Sequence, residues 1–444
     1  MTDEAKVGVF DTLRATPAPV RYLLGGVLVN QLGAFVQTFL VLYLTHRHMS
    51  VDAAGACLVA YSAGTILGTM LGGEATQRFG PRFTIVAAMA GSGPLVAVIP
   101  ALSRSGLLAP LLAVVALAGL LAQAYRPAAS VLLSDLMPER HQVMAFSMMR
   151  IALNTGAALA PLIAAGLILV DWNALFWLDG ATTLLYAGLA FALLPRQAVL
   201  AAKAAAAEDD AAADGTAAEA AGEGAPAPIT GRAAYRAMLR DRKYMFYLAA
   251  VLLGTITYVQ SLIALPLQIE ADDYSTGLYS AALTASSVVL ITCELKITTY
   301  ILRMPTHTAV GIGHLVNSLG FAVYGLAAHS PAFIMIGAVF EVSGLMIAGP
   351  SMFAHPAAFP AQLKARYIGT MQATAGLAAA LGPLFAVFVW TRLDHGFWVL
   401  CAGVNGVAGL LAMAGLNRGG DRGAAAEKDG TTQDKAEEVV GGTA

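Results

Sequence analysis

The chain has 444 residues, of which 57% are hydrophobic and only 12% charged. A soluble globular domain carries roughly a quarter charged residues, so this balance excludes that class. The formal net charge of −2 gives no reason to expect nucleic acid as a partner.

Residues 1–19 are polar and lack an apolar core, so they read as a short cytoplasmic lead-in and not as a cleavable signal. Apolar runs then follow at 20–44, 54–73, 82–101, 107–136, 142–170 and 173–194. Each is long enough to cross a bilayer, which takes about 20 residues. Residues 195–243 break the pattern as a cytoplasmic linker. Its stretch 198–228 is mostly Ala, Gly, Glu and Asp, and such a composition cannot build a core. Beyond it Arg232, Arg236 and Arg240 recur every fourth residue, on one helical face. That face suits anionic lipid headgroups, and it equally suits a solvated linker. Six further runs follow at 244–269, 276–302, 306–328, 331–355, 365–392 and 395–416, and the polar stretch 417–444 reads as a disordered cytoplasmic tail. The expected fold is therefore all-α and polytopic, with twelve transmembrane helices in two six-helix bundles, 20–194 and 244–416.

The second half repeats the first. Ala34-Phe-Val-Gln-Thr-Phe-Leu-Val-Leu-Tyr-Leu44 returns 223 residues later as Thr257-Tyr-Val-Gln-Ser-Leu-Ile-Ala-Leu-Pro-Leu267. Pro138 precedes Pro161 by 23 residues, and Pro360 precedes Pro383 by the same 23. Duplicated helical halves place a substrate where they face each other, near the midplane. Lys and Arg cluster in alternate loops, among them Arg78, Arg82, Arg140, Arg303, Lys364 and Arg366. The positive-inside rule then puts both termini in the cytoplasm, in a cell membrane. Cys57, Cys293 and Cys401 fall in apolar runs and form no CxxC pair, so they read as small fillers.

Three segments resemble the major facilitator superfamily. Gly73-Glu-Ala-Thr-Gln-Arg-Phe-Gly-Pro-Arg82 is similar to its signature loop (Gly-x-x-x-Asp-Arg-x-Gly-Arg-Arg). Ser134-Asp-Leu-Met-Pro-Glu-Arg140 leading to Asn154-Thr-Gly-Ala-Ala-Leu-Ala-Pro161 resembles the helix 4 to helix 5 region of drug-exporting members. Leu381-Gly-Pro383 repeats that motif in helix 11. The resemblance implies two pseudo-symmetric bundles, a cavity lined by helices 1, 4, 7 and 10, and a drug:proton antiporter-like bacterial exporter of small, partly hydrophobic molecules; an uncoupled or symporting carrier that imports a small metabolite, and a non-transporting membrane receptor or scaffold, are the alternatives. It implies no enzyme activity and no cofactor, with a proton gradient as the energy source. The partners would be a small molecule, protons and the lipid bilayer, around a monomer. The chain departs from the pattern twice. The signature Asp is Gln77, and Ala116 stands where antiporters carry an Arg nineteen residues before Asp135.

Charge at mid-bilayer costs about 3 kcal/mol or more, so each membrane-embedded polar residue needs a reason. Glu341, Arg126 and Glu294 are candidates for proton coupling, and Glu341 could equally be a structural carboxyl. Arg126 shares a helical face with Gly119, Gln123 and Ser130; it could hold an anionic substrate group, or pair with Asp135, or snorkel. Asn30, Gln37, Gln123 and Gln260 are substrate-contact candidates, with Asn30 two turns before Gln37 on one face. The same amides could instead join helices. Gln77, Arg78, Arg82, Asp135, Arg150 and Glu294 are gating candidates, with an Arg150–Glu294 bond expected to close the cytoplasmic side. Asp179 reads as structural and His314 as a packing residue. No phosphate-binding Gly-x-x-x-x-Gly-Lys loop, HExxH or Gly-x-Ser-x-Gly elbow is present.

Overall fold

The computed structural model describes residues 9–196, 232–393 and 396–417; most of the expected linker and tail lies outside them. Among the described residues the regular structure is helical throughout. The first half holds α1 (Val9–Ala15), α2 (Ala18–Leu32), α3 (Val36–His46), α4 (Val51–Phe79), α5 (Pro81–Ser105), α6 (Leu108–Leu136), α7 (Gln142–Ile168) and α8 (Ala174–Leu193). The second holds α9 (Arg232–Arg240), α10 (Arg242–Ala271), α11 (Thr276–Ile301), α12 (Thr306–Tyr324), α13 (Ala332–Ala354), α14 (Ala361–Leu393) and α15 (Gly396–Leu416). Among the described residues eleven spans are long and apolar enough to cross a membrane, with α2 and α3 together making one of them. The twelfth expected span, α12, is less apolar because it carries His307, His314 and Asn317. It is nonetheless packed between α13 and α15, where His314 Nδ1 lies 3.1 Å from Asn405 Oδ1.

The first span is not the single helix expected over 20–44. It breaks at Gly33-Ala34-Phe35, so α3 starts afresh inside the membrane region. A fresh start leaves orphan backbone donors, which hydrocarbon cannot satisfy. Asp179 on α8 supplies the acceptor: its Oδ2 takes the Phe35 N–H at 3.0 Å and the Val36 N–H at 3.3 Å. Thr183, one turn along, donates to Asn30 Oδ1 at 3.2 Å. Asn30 therefore serves the joint between α2 and α8. Because the helix is interrupted before Gln37, seven-residue spacing does not put the two amides on one face.

The signature loop is a sharp corner. Gly80 has φ 84° and ψ 160°, a conformation that only glycine adopts without strain, and Pro81 opens α5 behind it. Gly64, Gly68 and Gly72 sit against the α6 backbone at Ala116, Leu120 and Ala124, so α4 and α6 touch main chain to main chain.

Contacts sort the helices into two sets that mirror the repeat. α4 packs on α6 and α5 on α8 in the first; the corresponding α11 packs on α13 and α12 on α15 in the second. Across the sets, α4 meets α14 and α7 meets α11. Each of those pairs is the image of the other under the repeat, which is the pattern of a twofold. The short α1 lies against both α7 and α11, and His141 Nδ1 lies 2.9 Å from Thr12 Oγ1 beneath it. Helix α9 docks by Tyr235 and the buried Met238 onto the α10 and α14 side, leaving Arg236 and Arg240 exposed.

Asp179→Ala should remove the α3 cap and lower the thermal stability of the detergent-purified protein by about 1–2 kcal/mol, whereas Asp179→Asn, which keeps an oxygen acceptor, should lose clearly less. A thermal-shift comparison of the two variants checks this. Burial, with the Arg140 charge nearby, holds the His141 imidazole below its ordinary range. A depressed folded value means that the docking of α1 is fully present above the free-histidine pKa of about 6.5 and weakens as pH falls through the folded value. Hydrogen-exchange protection of α1 amides should accordingly drop between about pH 7 and about pH 5.

Candidate transport cavity

A space shared by the two sets has about 310 Å³ of free volume. Its polar lining includes Gln37, Gln123, Arg126, Ser130, Arg150 and Gln372. Its apolar walls include Tyr125, Phe146, Met149, Phe353 and Met371. Four sequence candidates thus converge here: Gln37, Gln123, Arg126 and Arg150. Arg126 is half-buried, and its Nε is buried without a hydrogen-bond partner. Asp135, considered as its partner, instead takes the Lys364 ammonium at 2.8 Å. Gln372 donates Nε2 to Ser130 Oγ at 3.1 Å and leaves Oε1 buried and unpartnered.

One end of the cavity is shut by contacts between the sets, and that end carries the basic loops. Glu74 on α4 binds Arg366 on α14 through two bonds, at 2.7 Å and 3.2 Å. Arg78 pairs with Glu74 from one turn along the same helix. Gln77 donates to the Ala361 carbonyl at 3.3 Å. Main chains touch at Gly73, where an added Cβ would press on the Ala365 carbonyl and on Gly369. On the twofold-related side Ser147 Oγ lies 2.8 Å from Thr298 Oγ1. Deeper on that side, Arg150 Nε lies 3.4 Å from Glu294 Oε1, and both side chains are almost wholly buried. Arg150 Nη1 also donates to the Leu345 carbonyl at 2.9 Å, a reach made possible by Gly349, whose missing Cβ leaves room for the guanidinium.

Glu341 lines a second, smaller space of about 100 Å³, walled by α7, α10, α11, α12 and α13. Tyr324 donates to Glu341 Oε2 at 2.8 Å, while Oε1 is buried without a partner. Asn154 and Leu345 belong to the same wall, so this space also borders the seam between the sets.

Besides Asn30 at the α2–α8 joint, Gln260 and Arg82 fall elsewhere. Gln260, the twin of Gln37, is fully buried and donates to the Ile256 carbonyl at 2.7 Å and the Gly382 carbonyl at 3.1 Å. It ties α10 to α14 and does not line the central cavity, because Gly382 brings the α14 backbone within its reach. Arg82 donates to the Phe191 carbonyl and lies over the Phe191 ring, which joins α5 to α8 within one set and makes no lock between the two. The sequence reading missed the roles of Glu74, Lys364, Arg366, Tyr324 and Gln372. Gln372 stands 222 residues after Arg150, the same offset that relates the two helix 5-type motifs, so the repeat held a signal for it.

Residues 23–383 match the family model of the Major Facilitator Superfamily. The chain belongs to that superfamily. Its members are membrane transporters and not enzymes, so this chain is a multi-pass transporter. No curated protein is matched. Among solved structures, the human organic anion transporter MFSD10 aligns with 15% identity and a TM-score of 0.65, over 89% of this chain and 99% of that one. The proton:xylose symporter XylE gives 14% identity and a TM-score of 0.68, over 90% and 95%. A bacterial homologue of the iron transporter ferroportin, solved in an outward-facing state, gives 16% and 0.68, over 89% and 98%. At such identities the likeness speaks to the fold alone.

Removing one member of a buried ion pair strands the other, at a cost of about 3–5 kcal/mol. Ser147→Cys and Thr298→Cys, placed in a chain whose own three cysteines are replaced, would report closure by cross-linking. Cross-linking should slow when Glu294→Arg is added and recover when Arg150→Glu is added to it; no recovery would argue against an electrostatic closure at this pair.

Proposed function

We propose that this transporter exports a small, partly apolar molecule in exchange for protons, by alternating access. The observation that carries the reading is the central cavity, bounded by both halves and shut at the basic-loop end. If the positive-inside rule holds for this chain, that end is cytoplasmic and the cavity belongs to the outward-facing state. Parting of α4 from α14 and of α7 from α11 would expose the same cavity to the other side.

Proton exchange is assigned to Glu341. Its second oxygen has no partner, and its small chamber shares Asn154 and Leu345 with the seam. Leu345 is also the acceptor that holds Arg150. Opening the seam therefore alters the walls and the hydration around the carboxyl, and such a change shifts its proton affinity. The direction of transport rests on the likeness of Asn154-Thr-Gly-Ala-Ala-Leu-Ala-Pro161 to exporters.

A second reading, an uncoupled carrier, is favoured by one feature. Ala116 stands where antiporters carry an Arg, so α6 lacks that charge. The purified chain in vesicles separates the two readings. Accumulation that follows an imposed pH gradient supports exchange, and flux that only equalises concentrations supports the uncoupled carrier. Glu341→Gln should retain exchange of labelled for unlabelled substrate and lose pH-driven accumulation. A Glu341→Gln protein that still concentrates substrate would remove that carboxyl from the mechanism.

A further inference from the structure

We infer that the central cavity takes an organic monoanion that carries a hydrogen-bond donor beside its acid group. The inference rests on the transport reading of the cavity and names the class of its cargo.

The charge of the lining comes first. Two guanidinium groups face the cavity, those of Arg126 and Arg150, and no carboxylate lines it. Arg150 is engaged by the Glu294 carboxylate and the Leu345 carbonyl. Among the described residues Arg126 meets no protein acceptor: Asp135 is held by Lys364, and the buried Nε has no partner. The cavity therefore presents one uncompensated positive charge. A positive charge left without a counter-charge at this depth is costly, and an incoming anion relieves that cost. The planar fork of Arg matches a carboxylate, sulfonate or phosphonate through paired hydrogen bonds. A cationic cargo would meet like charge with no carboxylate to offset it.

The second observation is an orphan acceptor in the same lining. Ser130 takes the Gln372 amide nitrogen and leaves the Gln372 Oε1 buried without a donor. A hydroxyl or N–H on the cargo would satisfy it, and a cargo lacking one leaves it stranded. Gln37 and Gln123 add amide groups on the side of the first half. The rest of the wall is aromatic and thioether: Tyr125, Phe146, Met149, Phe353 and Met371. That wall suits an aryl or branched alkyl body. The volume, about 310 Å³, lies at the small end of the range for small-molecule sites. A hydroxy acid or an N-acylated amino acid with one aromatic ring has this combination of features; a sugar lacks the charge, and a lipophilic amine has the wrong sign.

The test is calorimetric titration of the full-length purified chain with four probes of one skeleton: 3-phenyllactate, 3-phenylpropionate, 3-phenylpropionamide and 3-phenylpropylamine. The expected order is hydroxy acid tightest, then plain acid, with the amide about tenfold or more weaker and the amine without measurable binding. Arg126→Gln should reduce both acids to the level of the amide, and Arg126→Lys should keep part of the preference, because it retains charge without the fork. Gln372→Leu should erase the advantage of the hydroxy acid while leaving the plain acid in place. Thermal unfolding of each variant verifies that it is folded. An amide or amine that binds as tightly as the acids, an acid preference that survives Arg126→Gln, or a folded protein that binds neither acid would overturn the inference. Acid binding without pH-driven accumulation sinks proton exchange and leaves this inference standing. Accumulation of neutral or cationic solutes with no acid preference does the reverse.

Discussion

Inside a bilayer no water is available to a stray N–H group or charge, and that constraint governs the polar side chains of the membrane part. The interrupted first span is tolerated because a carboxylate from α8 waits at the exposed start of α3. Arg150 and Glu294 coexist at depth because each partly offsets the charge of the other, and the Leu345 carbonyl takes up a further guanidinium N–H. Gln260 is held by two main-chain carbonyls. The groups left incomplete are correspondingly informative. Arg126 Nε and Gln372 Oε1 face one cavity, and Glu341 Oε1 is left open in the neighbouring one. Other buried atoms, among them Gln260 Oε1, Glu294 Oε2 and Asn317 Oδ1, also lack a partner, but Arg126, Gln372 and Glu341 line a space where a ligand or a proton has something to gain.

The seam between the halves is built by exchange. α4 meets α14 where α11 meets α7, so each half offers the same two surfaces to the other. Glycine gives the α4–α14 side backbone contact at Gly73 and Gly369. The polar bonds on the two sides differ in kind. The α4–α14 side is closed near its rim by Glu74–Arg366, with Asp135–Lys364 beside it between α6 and α14. The α7–α11 side is closed deeper, by Arg150–Glu294. The partly exposed Asp135–Lys364 pair contributes modestly, whereas the buried Arg150–Glu294 pair is costly to leave half-broken, and Arg366 is buried to a similar degree. Changes at the deep pair reach the Glu341 chamber directly, since Leu345 is common to both.

The signature loop keeps its corner but alters its lock. Gly80 retains the backbone conformation that needs glycine, followed by Pro81. Gln77, in the place of the usual Asp, reaches the Ala361 carbonyl as a donor, a bond in which an ionised Asp could not serve as donor. The negative charge is supplied three residues earlier by Glu74, which reaches Arg366 across the seam. Tyr235 of the linker helix lies against that pair, so the segment joining the halves touches the contact that holds them shut.

The sequence by itself determined the class, the approximate spans and the duplication. Apolar length and composition are enough to demand membrane helices, and the matched Gln and Pro positions at offsets of 222–223 residues mark two related halves. It also singled out most of the buried charges, because a charge is conspicuous in an apolar run. Only the tertiary structure decided which of them meet. Gln37 and Gln260 are twins in the repeat, yet one lines the cavity and the other grips the α14 backbone. The difference arises because Gln37 follows a helix break that the second half lacks. Glu74 looked like one more residue of a loop motif until folding set it opposite Arg366, nearly three hundred residues away. Periodicity specifies which face of a helix a residue occupies, but a partner across the seam depends on the depth, rotation and close approach of another helix, and these are settled by packing.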